Sequence, residues 1–474
     1  TIKGGDYGLS GNGTYPLTTI DIVDSKVSSD RGTAIYHPQV GTLTISGGSE
    51  ISGISGIEMR AGTLKISGNV SVVATAEEFS VSDLGDGPRF DGVALGVSRY
   101  FEGSDRGVTL DISGGTFVAQ DKGYAFYEKD IAVAGAEDNT SRSFAGATFN
   151  GDLYSENEVG FIKGGTFSEG VDLAYVADGQ KVGIKADGGM EVASTISGEG
   201  YDAIYDVPDN EGESTATATV YTADALNDAV SAGVDVVLGC DITADVVVPK
   251  DVAVTLDLNG HTLTNSSNHT IINYGTLAIT DGSAYKRGTV DNVTDGRGAL
   301  VNYGVATLSG GTFTRSKEAS TSSSDGNGNS WYTLKNYCEM TIDEGVTVTT
   351  GSSETSTGEY SSLISNGFQS KSDYNSQKDK VTTTNMAKLT IKGGKFSGGL
   401  NTVKNDEVYS DDDHVLSSTL IITGGEFTNT AQHVILNYGD AKISGGTFDA
   451  PSASAAIWNV ASAGDASYSK TLGK

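Results

Sequence analysis

Cysteine, proline and histidine are all scarce in this chain of 474 residues, which holds 2 Cys, 6 Pro and 5 His. The histidines are His37, His261, His269, His414 and His433, and no pair of them has metal-ligand spacing, which argues against a zinc site. No run approaches 18 apolar residues, so no membrane insertion is expected. No basic, apolar leader precedes Thr1 and no Met starts the chain, so Thr1 is expected to be a processed or excised end of a mature fragment without signal or anchor. Basic residues are outnumbered, 31 against 61 acidic, for a net charge of -30. Such a surface repels phosphate backbones and disfavours nucleic-acid binding. It suits solubility outside the cell, cation binding, or keeping elongated molecules apart. No Gly-x-Ser-x-Gly, P-loop or dinucleotide fingerprint stands in a fitting context.

Glycine is abundant at 64 residues, and 21 Tyr and 14 Phe accompany an apolar content of only 37%. That pairing suits thin, elongated β structure with a narrow core better than disorder. One phrase recurs: Ile112-Ser113-Gly114-Gly115-Thr116-Phe117, Ile162-Lys163-Gly164-Gly165-Thr166-Phe167, and Leu308-Ser309-Gly310-Gly311-Thr312-Phe313. Ile391 to Phe396, Ile422 to Phe427 and Ile443 to Phe448 repeat it, with a degenerate copy at Phe144 to Phe149. Apolar residues alternate before each turn, as at Leu43 and Ile45 or Leu64 and Ile66, which marks a strand buried on one face. Gly-Gly then turns the corner and Phe re-enters the core. Early copies at Ile2, Ile22, Ile45 and Ile66 are 20 to 23 residues apart. That period fits three short strands and three turns, the perimeter of a parallel β-helix coil. Leucine-rich repeats and propeller blades lack support, because the regular Leu pattern and the hairpin signals are missing.

The organisation follows from this phase. Residues 1–205 read as a first β-helix module, N-terminally incomplete, with a hairpin-like ending at about 174–200. The acidic stretch 206–219 reads as a linker. Residues 220–474 read as a second module. There Thr222 caps a short amphipathic helix at about 223–232 that Gly233 ends, covering the first open rung. Rungs follow at Ile279, Leu308, Ile342, Ile391, Ile422 and Ile443, spaced by 29, 34, 49, 31 and 21 residues. The excess lengths mark inserted loops, with the first module's largest at 77–107 and the second's at 315–332 and 351–386. Cys240 and Cys338 lie several rungs apart, and at about 4.8 Å per rung that exceeds the ~7 Å Cα separation a disulfide spans. Both are expected as small buried residues.

Asn273, Asn302, Asn336 and Asn437 occupy matching positions, with Asn366, Asn405 and Asn459 as further candidates, and stacked amides can hydrogen-bond along a helix axis. Tyr274, Tyr303, Tyr337 and Tyr438 follow them, either packing in the core or forming an outer aromatic row. Loops on a rigid stack commonly bind. Ligand-binding candidates are therefore Trp331, Tyr332, Tyr360, Phe368 and Tyr374, with Arg99 and Tyr100 in the first module. Asp411, Asp412 and Asp413 form the one dense carboxylate cluster. It reads as an exposed acidic loop, a Ca²⁺ site, or a general acid and base. No catalytic residue is assigned, and no cofactor is required beyond possible Ca²⁺.

The spacing, the Gly-Gly-Thr-Phe turns and the Asn positions resemble the right-handed parallel β-helix of pectin-lyase-like proteins. Three stretches resemble repeat modules of large cell-surface proteins of Gram-positive gut and oral bacteria: Ala34 to Gln39 with Gly41 to Ile45, Gly56 to Leu64, and Leu256 to Thr262. The resemblance implies an all-β fold of two tandem right-handed parallel β-helices, the second with an N-terminal capping helix. It also implies an extracellular location, secreted or cell-wall attached, and an adhesin-like or stalk-forming role on host or environmental glycans and glycoproteins. The superfold also hosts polysaccharide lyases and glycoside hydrolases. The hydrolase pattern is absent at Gly260-His261-Thr262, where no Arg-x-Lys accompanies the histidine, and His261 reads as a turn residue. A third expectation is self-assembly by end-to-end stacking, because both ends look cut from a longer array.

Overall fold

A computed structural model of the chain describes residues 1–11, 18–83, 88–98, 107–129, 140–156, 160–207, 216–294, 296–316, 331–350, 361–384, 386–408 and 416–460. The chain is all-β, with long parallel sheets, and divides into two compact units, Thr1–Ala216 and Thr217–Lys474. In the second unit each circuit of chain adds one strand to each of three parallel ladders. One ladder runs from Thr217–Val220 to Asp440–Ile443, a second from Ile242–Thr243 to Thr447–Asp449, and a third from Val246–Val248 to Ile457–Asn459. Register is strict: Ile279, Leu308, Ile342, Ile391, Ile422 and Ile443 are successive partners. Five of these six side chains are fully buried, and each contributes roughly 1.5–3 kcal/mol by leaving water.

The recurrent corner joins the first ladder to the second, and its two glycines serve different ends. A Cβ on Gly424 would stand 2.4 Å from Lys392 O of the preceding rung, so only glycine permits that approach. Gly425 takes φ 111°, a region L side chains rarely adopt. Beyond the corner the phenylalanines re-enter the interior as a stack of nearly parallel rings. Phe396 and Phe427 lie 4.6 Å apart and Phe427 and Phe448 5.0 Å apart.

Helix α1 spans Ala223–Ala232, with Thr222 accepting from the Ala225 amide at 3.3 Å and Gly233 ending it at φ 73°. Leu226, Ala229 and Val230 are its buried face. Thr217–Val220 already pairs with Asp235–Leu238, and Asp206 closes the strand Ala203–Asp206. Residues 208–215, the centre of the expected linker, lie outside the described residues.

The first unit follows the same logic with three strands per circuit, as in Gly41–Ser46, Glu50–Gly53 and Ser55–Met59. Near its end the corner straightens: Ser141–Asn150 pairs with Val108–Ile112 through its first half and with Thr116–Val118 through its second. Ile162–Phe167 then pairs antiparallel with Met190–Ala193, which pairs with Lys181–Ile184, and that strand pairs with Ala203–Asp206.

Two readings of loops and one of a cysteine need correction. Residues 77–107 are not one excursion, because Val93–Val97 is a regular rung strand between Ser55–Met59 and Tyr124–Glu128. It shows no alternation because all five of its residues are buried. Ahead of it Ser80–Asp83 and Pro88–Asp91 form an antiparallel hairpin. The insertion at 351–386 contains a second helix, α2, Lys371–Gln377, started by Ser370 accepting from the Asp373 amide at 3.1 Å. Cys240 is only partly buried, whereas Cys338 is buried, and both are free thiols.

Candidate functional site

The asparagines form one continuous hydrogen-bonded column. Each Nδ2 donates to the Oδ1 of the next rung, from Asn273 through Asn302, Asn336, Asn366, Asn405 and Asn437 to Asn459, at 2.7 to 2.8 Å. All but the last are fully buried. Remaining amide protons go to backbone carbonyls at the turn, as from Asn336 Nδ2 to Cys338 O at 3.0 Å. This satisfies polar groups in the narrow interior.

On the outer face of the same ladder, Lys335, Ser365 and Lys404 stand on adjacent strands. Alternation should present them to solvent, yet Lys335 and Ser365 have no exposed surface. Lys335 Nζ donates to Ser365 Oγ and to Gly367 O, each at 2.7 Å. Ser365 Oγ donates to Asp406 Oδ2 at 2.7 Å, and Lys404 Nζ contacts Asp406 Oδ1 at 2.7 Å. Asp406 Oδ2 and Asp373 Oδ2 lie 3.9 and 4.0 Å from Lys335 Nζ. The rings of Tyr332 and Tyr337 flank that nitrogen at 5.0 and 4.6 Å. Burial, only partly offset by Asp406 and Asp373, brings the Lys335 amine down to about 8. Burial pushes the Tyr332 and Tyr337 hydroxyls up.

Beside this cluster the tyrosines form an aromatic row, but under a lid of chain rather than in the core or in the open. Tyr274 and Tyr303 stack at 5.1 Å, Tyr303 and Tyr337 at 5.0 Å, and Phe368 continues at 5.1 Å. Helix α2 covers them. Tyr374 meets Phe368 edge-on at 5.2 Å, Gln377 Oε1 accepts from Tyr303 OH at 2.7 Å, and Asp373 Oδ1 accepts from Tyr337 OH at 3.2 Å. Tyr332, Phe368 and Tyr374 are therefore buried at 5%, 0% and 7% exposure instead of being presented for binding. Their apolar rings cover a sheet face that would otherwise be wet. Trp331 stays partly exposed, with its ring 5.6 Å from His269 and 5.5 Å from Tyr332. Tyr438 stands apart, with Lys404 5.7 Å from its ring. Arg99, Tyr100, Tyr360, Asp411, Asp412 and Asp413 lie outside the described residues.

The first unit holds two more sealed charge clusters. Arg60 Nη2 donates to Glu58 Oε1 at 2.9 Å, with side chains 4% and 3% exposed. Burial raises the Glu58 carboxyl against the pull of Arg60 and Ser98. Arg142 donates through Nε and Nη2 to both oxygens of Glu128 at 2.5 and 2.6 Å, and Ser155 Oγ adds a third bond at 2.8 Å. An open groove of about 410 Å³ lies in this unit where successive rungs turn, lined by Gln120, Asp121, Asn150, Asp152, Ser168 and Glu169 among others. Among the described residues no group of three or more His, Cys, Asp or Glu is placed to hold a metal ion.

Sequence reasoning passed over Lys335, Ser365 and Lys404. A signal existed: aligned on the asparagines, the outward column reads Ile272, Val301, then Lys335, and the change from apolar to cationic is visible there. No family model, no curated protein and no solved structure matches the chain.

Proposed function

We propose that the chain is a non-enzymatic surface module of two tandem right-handed parallel β-helices, pectin-lyase-like in architecture and secreted or cell-wall attached. Its partners would be host or environmental glycans or glycoproteins. Closure is the observation that supports the reading. Lys335 with Asp406, Glu58 with Arg60, and Glu128 with Arg142 each bring acid and base together, and every one of these side chains is at most 4% exposed. Cleaving a polysaccharide requires such groups within hydrogen-bond reach of a sugar in a groove. These groups face protein on all sides, so they read as internal structure.

The second reading, a glycoside hydrolase, is favoured by the open groove, where Asp121, Asp152 and Glu169 come from successive turns. Among the described residues no Lys or Arg lines it, so a lyase with a basic catalytic residue fits it poorly. A glycan array read beside a depolymerisation assay separates the two readings. Array binding without cleavage supports the module; cleavage lost in Asp152→Ala overturns it in favour of the hydrolase. End-to-end stacking remains a third proposal, tested by electron microscopy for filaments. Calcium binding at Asp411, Asp412 and Asp413 is likewise a proposal, and an unchanged melting temperature in millimolar Ca²⁺ would sink it.

A further inference from the structure

Lys335 and Asp406 are an unusual investment for a purely structural contact. Each is a charged residue buried where the repeat places an uncharged one two rungs earlier, Ile272 and Tyr337, and taking an ion out of water is costly. Lys335 has no exposed surface, and that desolvation favours the neutral amine against the cation–π attraction of the flanking Tyr332 and Tyr337 rings. Ser365 Oγ bridges the pair, receiving a proton from Nζ and giving one to Asp406 Oδ2. A second carboxylate, Asp373, waits 4.0 Å from the same nitrogen. Lys404 holds the other oxygen of Asp406 at 2.7 Å.

We propose that Lys335 Nζ and Asp406 Cγ condense to an intramolecular amide that staples the strands Leu334–Asn336, Ile364–Asn366 and Val403–Asn405 together. The ammonium of Lys335 passes one proton through the Ser365 hydroxyl to Asp406, leaving a neutral amine and a neutral acid. Nζ leaves Gly367 O and closes from 3.9 Å of Oδ2 to attack distance of Cγ, about 3–3.5 Å. The N–C bond forms while Lys404 stabilises the negative charge that develops on Oδ1. Asp373 accepts the proton released by nitrogen and delivers it to the departing hydroxyl, which leaves as water when the C–O bond breaks. One ammonium and one carboxylate become one amide and one water. No electron transfer occurs, and both buried charges disappear. The bond would add a covalent link between rungs otherwise held by hydrogen bonds, ion pairs and side-chain packing, and it stands whether or not the chain binds glycans.

Intact-mass spectrometry of the full chain under denaturing conditions tests this directly. The expected mass is that of the sequence less one water. Trypsin should fail to cleave after Lys335, and a branched peptide should join the segments bearing Lys335 and Asp406. Lys335→Arg and Asp406→Ala should each restore the full sequence mass, and Asp373→Asn should slow the loss of water. A wild-type chain at full sequence mass, with Lys335 cleaved normally, overturns the proposal. So does a water lost elsewhere, as in an Asp-Gly succinimide, or a branch from Lys335 to Asp373.

Discussion

Asn366→Ala removes one link from the middle of the amide column. In the native chain Asn366 Oδ1 accepts from Asn336 at 2.8 Å, and its Nδ2 reaches Asn405 Oδ1 at 2.8 Å, Ala387 O at 2.9 Å and Thr419 O at 3.1 Å. Asn336 keeps Cys338 O and Lys388 O for its own amide protons, and Ala387 O keeps the Thr419 amide. The damage concentrates on Asn405 Oδ1, a fully buried acceptor that loses its Asn366 donor. A neutral buried hydrogen bond is worth about 1 kcal/mol net, and an orphaned buried acceptor costs about 1–3 kcal/mol. The substitution should therefore cost roughly 3 kcal/mol. In a unit of this size about 2–4 °C of melting temperature accompanies each kcal/mol, giving a drop of about 6–12 °C. Asn459→Ala is the control. Asn459 accepts from Asn437 at 2.8 Å but is exposed, so water can replace it and the loss should stay below about 1 kcal/mol. Thermal melts and urea titrations of both variants make the comparison. Equal shifts would refute the view that the buried column, rather than its polarity alone, carries stability.

Phe427→Ala, which opens a gap between Phe396 and Phe448, should cost about 3–5 kcal/mol in urea unfolding. Gly96→Val places a Cβ 2.8 Å from Phe90 Cδ2 and should lift the hairpin Ser80–Asp83 and Pro88–Asp91, at about 1–3 kcal/mol, visible as local loss of amide-exchange protection. Burial, and then the positive charge of Arg297, lowers the His269 imidazole from 6.5 to about 4. The unfolded chain therefore binds the extra proton first: the contribution is fully present above pH 6.5 and is lost as pH falls through about 4. His269→Gln should flatten that part of the stability-pH curve relative to wild type, and an unchanged curve would count against it.

Much of the architecture was legible because parallel stacking writes the same choice at every rung. Ile443 and Phe448 mark a corner as clearly as Ile391 and Phe396 do, and Thr222 with Gly233 brackets α1 in the sequence. Val93–Val97 was not legible, because a strand buried on both faces loses the period of two. Helix α2 was missed for a different reason. Lys371, Ser372, Asp373, Asn375 and Ser376 carry no apolar stripe, and one aromatic, Tyr374, docks the helix. The sealed site escaped because loop aromatics such as Tyr332 and Phe368 look the same in sequence whether they face a ligand or cover a lysine.

The place where the columns break is also where the chemistry differs. Outward from the third ladder the residues run Ile272, Val301, Lys335, Ser365, Lys404, Leu436 and Trp458, apolar at both ends and polar in the middle. Two residues further on, past the asparagines, the tyrosine column is interrupted by Gly367 and Asp406. Gly367 has φ 105°, and a Cβ there would stand 2.2 Å from Ser418 Oγ. Its freedom turns Gly367 O toward Lys335 and lets Phe368 take the tyrosine's place in the stack. Gly367→Ala should therefore cost more than Gly233→Ala, which has a similar sign of φ (73°) but a nearest contact of 3.6 Å. The excess measures the packing that aligns Lys335, beyond backbone strain alone. Urea unfolding of the two variants reads it, and a Gly367→Ala loss no larger than that of Gly233→Ala would mean the lysine is held by α2 and the tyrosines without help from this turn.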